Sequence, residues 1–223
     1  MKNSYTEENY LKAIYKLSEL NETEEVSTNE IAQELNTKAA SVTDMLKKLA
    51  DKKLIIYKKY QGVRISAKGE KVAINIIRKH RIWELFLVDK LKFKWDEVHD
   101  IAEQLEHIES DELIDRIDEY LGYPKYDPHG DPIPTKQGVF KGRKMVDLYD
   151  MSVGFVGNIS GVSDHSPVFL QHLEKIGIGL GVEIKVEDKN QFDNSFWISI
   201  GKSDPIFISK EVAKNLLVFK SDK

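Results

Sequence analysis

The 223-residue chain contains no cysteine. Disulfide frameworks, cysteine-ligated zinc or iron–sulfur centres and thiol catalysis are therefore excluded. No apolar run approaches the ~20 residues that a membrane-spanning helix needs, and the first ten residues lack the apolar core of a secretory signal. These absences indicate a cytoplasmic protein that does not enter a membrane. The 41% of hydrophobic residues is enough to build globular cores.

The net charge of −4 conceals two neighbouring segments of opposite sign. Residues 36–82 contain 13 basic and three acidic side chains, a balance of +10, whereas residues 84–131 contain five basic and 15 acidic ones, a balance of −10. A basic segment of this density suits nucleic-acid phosphate, and an acidic one suits cations. Two solvated faces that attract each other are the alternative interpretation.

The N-terminal third follows the order of a winged helix-turn-helix. Apolar residues at helical spacing predict helices over residues 6–20, 27–35 and 39–55. A β-hairpin is predicted over residues 55–66, where β-branched and aromatic residues flank a turn at Gln61–Gly62. Thr6 is the expected N-cap of the first helix, and Ser27 or Thr28 with Glu30 is expected to form a capping box on the second.

In a winged helix the third helix enters the major groove, and the hairpin lies against the backbone or the minor groove. Serine, threonine and lysine side chains donate to phosphates or base edges, while Asp44 would accept from a cytosine amino group or pair with a lysine. The expected DNA-contacting residues are Thr28, Lys38, Ala40, Ser41, Thr43, Asp44, Lys47, Lys48, Lys58, Lys59 and Arg64. A winged helix used for protein contacts is the alternative.

The remaining chain predicts a helical region followed by a small β domain. Helices are expected over about residues 68–91, 96–108 and 110–121, the last capped by Ser110, and their broad apolar faces favour a homodimer. Residues 122–138 hold four of the six prolines and predict an extended connector. Short β runs at 154–159, 182–187, 196–200 and 206–208, interrupted by a helix at 167–175, fit an SH3-like β-barrel.

The predicted fold class is mainly α with small β parts. It comprises a winged helix-turn-helix DNA-binding domain at 1–72, a helical metal-binding and dimerisation domain at 73–140, a linker at 141–152 and an SH3-like domain at 153–223.

Histidines and carboxylates recur at helical spacing in the acidic segment. His80 and Glu84 are four residues apart, His99 and Glu103 repeat that spacing, and Glu106 and His107 follow. Imidazole and carboxylate donors without thiolate suit Mn²⁺, Fe²⁺ or Zn²⁺ better than Ca²⁺. Solvated helix polar residues are the simpler alternative. A metal-dependent hydrolase is a further alternative, although no obvious general base accompanies the cluster.

Taken together, these motifs resemble the diphtheria toxin repressor family of metal-dependent bacterial regulators, of the three-domain type that includes manganese-responsive members. TEENYLKAIYKL resembles its first helix, and EIAQELNTKAASVTDMLKKLADKKLI its DNA-reading helices. RKHRIWELFL and VHDIAEQLEHIESDELIDRI resemble its metal-binding and dimer helices. DPHGDPIP resembles its connector, and GVSDHSPVFLQHLEKIGIGLGVEIKV its C-terminal domain, which is related to ferrous-transport A-type domains.

The resemblance implies an activating metal site made of Asn9, His80, Glu103, Glu106 and His107. Position 103 is Cys in iron-responsive members and an acid in manganese-responsive ones, so Glu103 indicates Mn²⁺, a harder ion. Asn9 stands where manganese regulators have Asp and iron regulators have Met. Lys12 replaces an acid of the two-domain manganese regulators, which argues against a closely spaced manganese pair, since a protonated lysine is not a ligand.

A second site implied by the resemblance draws on Glu84, the connector and the third domain. Asp127 stands where many members have Cys, His129 follows it, and Asp164, or less directly His165, would come from the third domain. His99 belongs with His80 and Glu84 in the ancillary site of iron-type members. A carboxylate and a histidine that only stabilise a turn of the connector are the alternative for Asp127 and His129.

The sequence therefore predicts a non-enzymatic, homodimeric DNA-binding repressor of metal homeostasis. Its cofactor would be Mn²⁺, with Fe²⁺ as the alternative and with Zn²⁺ or Co²⁺ as substitutes in vitro. Its partner would be double-stranded DNA bearing a palindromic operator, with no membrane and no small-molecule substrate. A metal-independent winged-helix adaptor and a metal-dependent hydrolase are the competing hypotheses.

Overall fold

The computed structural model describes residues 3–20, 25–58, 62–142 and 145–219. They form two compact units. The first unit is built from residues 1–80, 103–115 and 134–139, and the second from residues 81–102, 116–133 and 140–223. Within the described ranges, no helix combines the length and the apolar character that a membrane span requires.

The first unit begins with three helices and a hairpin, as the sequence predicts for a winged helix. The elements are α1 (Tyr5–Leu20), α2 (Thr28–Glu34), α3 (Ala39–Asp51), β1 (Ile55–Lys58) and β2 (Gly62–Ile65). Leu11, Ile31, Leu46 and Leu49 are fully buried between them. The apolar period of each helix thus produces one packed core under the winged helix, which leaves the opposite face of α3 exposed.

The helix caps explain where α1 and α2 begin. Ser27 and Glu30 form the predicted capping box on α2. The cap of α1 is Ser4 rather than Thr6: the Ser4 hydroxyl accepts from the Glu7 amide at 3.3 Å, and the Ser4 amide donates to Glu7 Oε2 at 2.7 Å. Ser4 and Glu7 have the Ser-x-x-Glu spacing that satisfies two backbone donors reciprocally, so the helix starts before Thr6.

Glu7 also ties α1 to the end of α3. Its carboxylate is 1% exposed and lies 2.7 Å from Lys52 Nζ and 3.2 Å from Lys48 Nζ. Burial by itself would raise the pKa of Glu7, but the Lys52 ammonium, the Ser4 amide and Lys48 outweigh it and lower the pKa to about 2. A buried carboxylate thus holds the first helix against the third.

The hairpin pairs Lys58 with Gly62, so Gly62 belongs to β2 rather than to the turn. Gln61, the other predicted turn residue, lies outside the described residues, as does Lys59. Gly62 has a φ of +90°, and a Cβ there would lie 3.2 Å from the Val26 carbonyl oxygen. The strand therefore needs glycine where Val26 adds a bridge to Val63.

Three further helices follow: α4 (Ala67–Asp89), α5 (His99–Leu105) and α6 (Asp111–Tyr120). Ser110 caps α6 as predicted, since its hydroxyl accepts from the Leu113 amide at 3.2 Å. Helix α5 is shorter than the predicted 96–108. Glu97 closes a turn ahead of it, donating from its amide to the Lys94 carbonyl and accepting from the Lys94 amide on its carboxylate. Local side-chain bonding therefore replaces the first helical turn.

The second unit contains a six-stranded antiparallel sheet in the order β3-β8-β4-β5-β6-β7. Its elements are β3 (Met145–Asp147), a 3-10 turn at Leu148–Asp150, β4 (Val156–Val162), α7 (Pro167–Lys175), β5 (Glu183–Lys189), β6 (Phe196–Ile200), β7 (Ile206–Ile208), α8 (Lys210–Lys214) and β8 (Leu216–Phe219). Helix α7 and strands β6 and β7 have the predicted bounds, and the other two predicted strands are present as β4 and β5 with shifted ends.

The predicted SH3-like β-barrel does not close, because its sheet is open among the described residues. Its two edges, β3 and β7, are three-residue strands that pair on one side only among the described residues. Register shifts between Ile159 and Gly161 and between Val186 and Asp188 bend the sheet over a buried core without closing it. Strand β3 lies inside the segment predicted as a linker, and β3, β8 and α8 were not predicted.

The Glu7 ion pairs generate a stability prediction. We expect Glu7→Gln to lower the free energy of unfolding by about 1–3 kcal/mol at pH 7, since a glutamine can keep the cap but leaves two ammonium groups without their carboxylate. The unfolded chain binds its proton near pH 4.5 and the folded one near pH 2, so this contribution disappears as the pH falls between those values.

Urea unfolding of both proteins from pH 7 to pH 2 measures this effect. Glu19→Gln, on the exposed end of the same helix, is the matched control and should change stability by less than about 0.5 kcal/mol. A difference between wild type and Glu7→Gln that stayed constant down to pH 2 would contradict the assignment.

Candidate metal centres and DNA-contacting surface

The first cluster consists of His80, Glu103 and Glu106 in the first unit. Each offers a ligand atom, and these atoms lie within 4.8 Å of one another. His80 Nδ1 is 2.6 Å from Glu106 Oε2, and the Glu106 side chain has no exposed surface. Helix α4 supplies the imidazole, and the end of α5 with the following turn supplies the carboxylates. Predicted ligands from distant segments are therefore brought together.

A lysine occupies the space between the two carboxylates of the first cluster. Lys12 Nζ lies 2.6 Å from Glu103 Oε1, 2.7 Å from Glu106 Oε1 and 2.9 Å from Glu106 Oε2. Lys12 itself is 6% exposed. Its ammonium donates a charge-assisted hydrogen bond to each carboxylate. Lys12, which the sequence marked only as unable to ligate a metal, thus supplies the positive charge inside the site.

His107 is oriented toward the first cluster by a carboxylate of α1. His107 Nδ1 is 2.7 Å from Glu8 Oε2, and the Tyr5 ring stacks on the imidazole at 4.7 Å. His107 Nδ1 donates to the Glu8 carboxylate, and Nε2 lies 3.9 Å from Glu106 Oε1. A carboxylate that fixes the tautomer in this way is common behind metal-binding histidines.

The donors of the first unit fit a divalent cation. Asn9 Oδ1 is buried and has no hydrogen-bond partner among the described residues. A buried carbonyl oxygen without a donor is an available ligand. The imidazole and the two carboxylates of the first cluster are themselves nitrogen and oxygen donors of the kind that Mn²⁺ and Fe²⁺ prefer.

The second cluster consists of Glu84, Asp127 and His129 in the second unit, whose ligand atoms also lie within 4.8 Å of one another. All three side chains are buried. His129 Nε2 donates to the Trp95 carbonyl oxygen at 2.8 Å, which leaves Nδ1 buried, without a hydrogen-bond partner and 3.5 Å from Glu84 Oε2. This nitrogen faces the Glu84 carboxylate, so the second cluster fits a metal cation once the imidazole gives up its Nδ1 proton.

Asp127 closes the turn of the connector as well as lining the second cluster. Its Oδ1 accepts from the amides of His129 at 2.8 Å and Asp131 at 2.9 Å, and its Oδ2 lies 3.7 Å from Arg81 Nε. Gly130, within this turn, has a φ of +94°, and a Cβ there would overlap the Ser160 carbonyl oxygen. The turn role expected as an alternative is therefore present beside the cluster geometry.

Electrostatics in the second cluster favour the arrival of a positive charge. Burial, together with the negative charges of Asp131 and Glu84, raises the pKa of Asp127 to about 7. Burial would lower the pKa of His129, but Glu84 and Asp127 outweigh it and raise that pKa to about 9. A bound proton thus offsets part of the negative charge of the clustered carboxylates.

The other predicted ligands lie around the second cluster. His99 Nδ1 is 3.4 Å from Glu84 Oε1. The His165 ring stacks on His129 at 4.6 Å, and burial lowers the pKa of His165. Asp164 instead accepts from the Ser166 amide at 2.8 Å and belongs to no group of three candidate ligands among the described residues. The structure therefore brings His165 rather than Asp164 against the connector histidine.

Most of the described side chains among the predicted DNA contacts lie on the open face of α3 and on the wing. Lys38, Ala40, Ser41, Asp44 and Lys47 are exposed, opposite the buried face of α3. Asp44 Oδ1 pairs with Lys47 Nζ at 3.0 Å, which is the second of the two roles expected for it.

The remaining contacts of this face are mostly with the protein itself. Thr43 donates to the Ala39 carbonyl oxygen, Arg64 contacts Glu25 at 3.1 Å, and Lys48 reaches Glu7. Lys58 is exposed at the end of β1, and Thr28 is half-buried at the start of α2.

Family models match nearly the whole chain in three consecutive pieces. Residues 3–63 match the iron dependent repressor N-terminal DNA binding domain, residues 66–135 the iron dependent repressor metal binding and dimerisation domain, and residues 146–220 the FeoA domain. A solved manganese-dependent transcriptional repressor in complex with manganese is 33% identical, with 95% of this chain and 98% of that chain covered and a TM-score of 0.84. The chain belongs to the family of metal-dependent transcriptional repressors.

Other members of this repressor family are also similar to this chain. ScaR with bound Cd²⁺ is 32% identical over 96% of this chain and 99% of that chain, with a TM-score of 0.76. The diphtheria toxin repressor of Corynebacterium jeikeium (strain K411) is 31% identical over 137 residues, 61% of this chain and 56% of that protein. The match thus spans about half the length of this curated relative. Members of this family are repressors rather than enzymes.

Several residues of this repressor were not identified as part of the site from its sequence. Lys12 contacts the first cluster, Glu8 contacts His107 beside it, and Arg81 contacts the second cluster. Arg81 Nη2 also lies 3.0 Å from Asp131 Oδ2. The only signal for Glu8 and Lys12 is their position one turn apart on the helix that carries Asn9, which places all three toward one side of α1.

The second cluster generates a prediction for the metal-free repressor. The unfolded chain loses the Asp127 proton near pH 3.8 and the folded chain near pH 7, so ionisation of Asp127 lowers stability as the pH rises between those values. An asparagine can accept from the same two amides without the charge. We therefore expect Asp127→Asn to become more stable than wild type above pH 7 and to lose that advantage near pH 4.

Urea unfolding in EDTA between pH 4 and pH 8 measures the difference. Asp204→Asn, at an exposed position of the same unit, is the control and should follow the wild-type profile. Parallel profiles for Asp127→Asn and wild type would show that the carboxylate is not destabilised by its surroundings.

Proposed function

We propose that this protein is a homodimeric, DNA-binding transcriptional repressor that is activated by a divalent metal ion, with Mn²⁺ as the favoured signal. The observation that carries the proposal is that α1 contacts both functional regions. Glu7 pairs with the end of α3, while Lys12 contacts the first cluster and Glu8 contacts His107 beside it. A change at the cluster is therefore transmitted to the DNA-reading helix through one rigid element.

The proposed activating site uses Asn9, His80, Glu103, Glu106 and His107. A bound divalent cation would supply the positive charge that two neighbouring carboxylates need. Asn9 would then join α1 to the segment of α5, and Glu8 would keep the His107 lone pair directed at the site. Affinity for DNA rises only if this joined arrangement is also the one that fits the operator.

The proposed second site uses Glu84, Asp127 and His129. His99 and His165 lie beside it, and Asp164 remains a proposed ligand that would need to turn away from the Ser166 amide. The hard donors of both sites support Mn²⁺ over Fe²⁺, since neither contains a thiolate. Zn²⁺ and Co²⁺ are expected to bind in vitro because divalent-metal affinity generally favours them over Mn²⁺.

The proposed DNA contacts are the exposed residues of α3 and of the wing, including the predicted Lys59. A two-fold dimer would present two such helices to a palindromic operator. We also propose domains at 1–72, 73–140 and 153–223, joined by a linker at 141–152, and a cytoplasmic location. Protein-only binding and metal-dependent hydrolysis are the alternatives.

Fluorescence anisotropy on a pool of promoter fragments at fixed salt tests the proposal. The protein is titrated metal-free and then with Mn²⁺ or with anaerobic Fe²⁺. We expect Mn²⁺ to lower the Kd for DNA by about tenfold or more, within the usual range of allosteric coupling. We expect Glu106→Gln to abolish this response while weak, salt-sensitive binding persists, because the substitution removes the most buried carboxylate of the first cluster.

Glu109→Gln, an exposed substitution three residues away, is the matched control and should respond as wild type does. Equal DNA binding with and without metal in the wild type would overturn metal activation. Dimerisation without measurable affinity for either DNA or metal would favour the protein-interaction adaptor, and metal-dependent cleavage of a phosphoester would favour the hydrolase.

The exposed start of α3 generates a second prediction. Lys38 occupies the N-cap position without making a side-chain cap bond, so its ammonium is available to phosphate. We expect Lys38→Gln to weaken binding to all DNA sequences alike. We also expect it to reduce the slope of log Kd against log salt by about the amount that one phosphate contact contributes. Lys202→Gln, an exposed lysine of the second unit, is the control, and an unchanged slope would remove Lys38 from the interface.

A further inference from the structure

We propose that Lys12 is a tethered competitor of the activating metal: in the metal-free protein its ammonium occupies the position between Glu103 and Glu106, and a divalent cation binds the first cluster only by displacing it. Lys12 would then set the metal concentration at which the repressor responds. This inference rests on the proposed function and names the residue that regulates that site.

The geometry shows a complete cation site filled by the protein itself. The Lys12 ammonium lies within 2.9 Å of three oxygens belonging to two carboxylates. Its donors are therefore engaged in the space where the carboxylate oxygens converge. Two cations cannot share that space, because each would exclude the other sterically and electrostatically. The lysine and a metal ion are thus alternative occupants.

Electrostatics explain why a cation is needed before any metal arrives. The Glu106 side chain has no exposed surface, and Glu106 Oε2 is shared between Lys12 and His80. A buried carboxylate beside a second carboxylate is strongly unfavourable unless a positive charge compensates it. Lys12 provides that compensation from α1, so the carboxylates stay assembled in the metal-free protein.

One side of the first cluster is open to solvent, so the Lys12 ammonium can leave it. The Glu103 side chain is 40% exposed, whereas those of Lys12 and Glu106 are 7% and 0% exposed. The side of the cluster at Glu103 therefore faces water. A lysine side chain has four rotatable carbon–carbon segments and a strongly hydrated head, so it can swing past Glu103 into solvent while remaining charged.

Lys12→Met tests the competition, because methionine matches the unbranched apolar stem and the helix propensity of lysine but lacks the terminal ammonium. The Kd for Mn²⁺ is measured by competition with a fluorescent chelator, and the melting temperature is measured in EDTA. We expect Lys12→Met to bind Mn²⁺ about tenfold more tightly than wild type, in line with typical coupling between ligands, and to melt at a lower temperature without metal. Lys12→Gln, which keeps hydrogen-bond donors, provides a second uncharged variant if the methionine protein does not fold.

Lys16→Met is the matched control, since it removes the same charge one turn along α1 at an exposed position. It should leave both the Mn²⁺ affinity and the metal-free melting temperature unchanged. An Mn²⁺ affinity in the Lys12 variants equal to or weaker than that of wild type would overturn the competition.

Amine acetylation of the wild-type protein, read by mass spectrometry, follows the displacement without any mutation. We expect Lys12 to be protected in EDTA and to become reactive at saturating Mn²⁺, because the displaced ammonium reaches water. Protection that persists under both conditions would overturn displacement.

The two proposals fail in different ways. A wild-type protein that gains DNA affinity with Mn²⁺ while Lys12 stays protected and its variants bind Mn²⁺ no more tightly retains the proposed function but not the role of Lys12. A wild-type protein that binds no Mn²⁺ in the chelator assay, with DNA affinity unchanged by metal, loses both.

Discussion

The burial of Glu106 is the constraint on which the first unit depends. A carboxylate without exposed surface needs a positive partner, and that partner comes from α1, more than ninety residues earlier in the chain. The same helix presents Glu7 to α3 and Glu8 to His107. Compensating one buried charge therefore fixes the first helix between the DNA-reading helix and the candidate metal ligands. The metal response and the packing of the winged helix share these contacts.

The second unit meets a similar demand with different groups. Glu84 and Asp127 are buried near each other, and the surrounding positive groups are Arg81 and His129 rather than a lysine. Here the compensation is incomplete, as the raised pKa of Asp127 shows. The first cluster is thus neutralised by an ammonium, whereas the second is left short of positive charge. Under the proposal for Lys12, a metal ion would displace that ammonium at the first cluster and bound protons at the second.

Much of this architecture could be predicted from local sequence, because apolar period and capping residues act within a few positions. The winged helix, α6 with its Ser110 cap and α7 are of this kind. Strands β3 and β8 were missed because each is short and is defined by its partner across the sheet. The histidine and carboxylate ligand types could also be proposed from local sequence, because these residues recur at helical spacing. The partners of Lys12 and Arg81 could not, since spacing along a helix does not reveal which distant carboxylate a cation meets.

Gly130 adds a consequence for how this connector can change over evolutionary time. Its backbone lies so close to the Ser160 carbonyl oxygen that a side chain has no room, and its φ of +94° is unfavourable for other residues. Three positions earlier, Asp127 accepts from the amides of His129 and Asp131 while it lines the second cluster. Gly130 thus anchors the loop to β4, and Asp127 links the same turn to the cluster. A substitution at either position would alter the turn that carries His129.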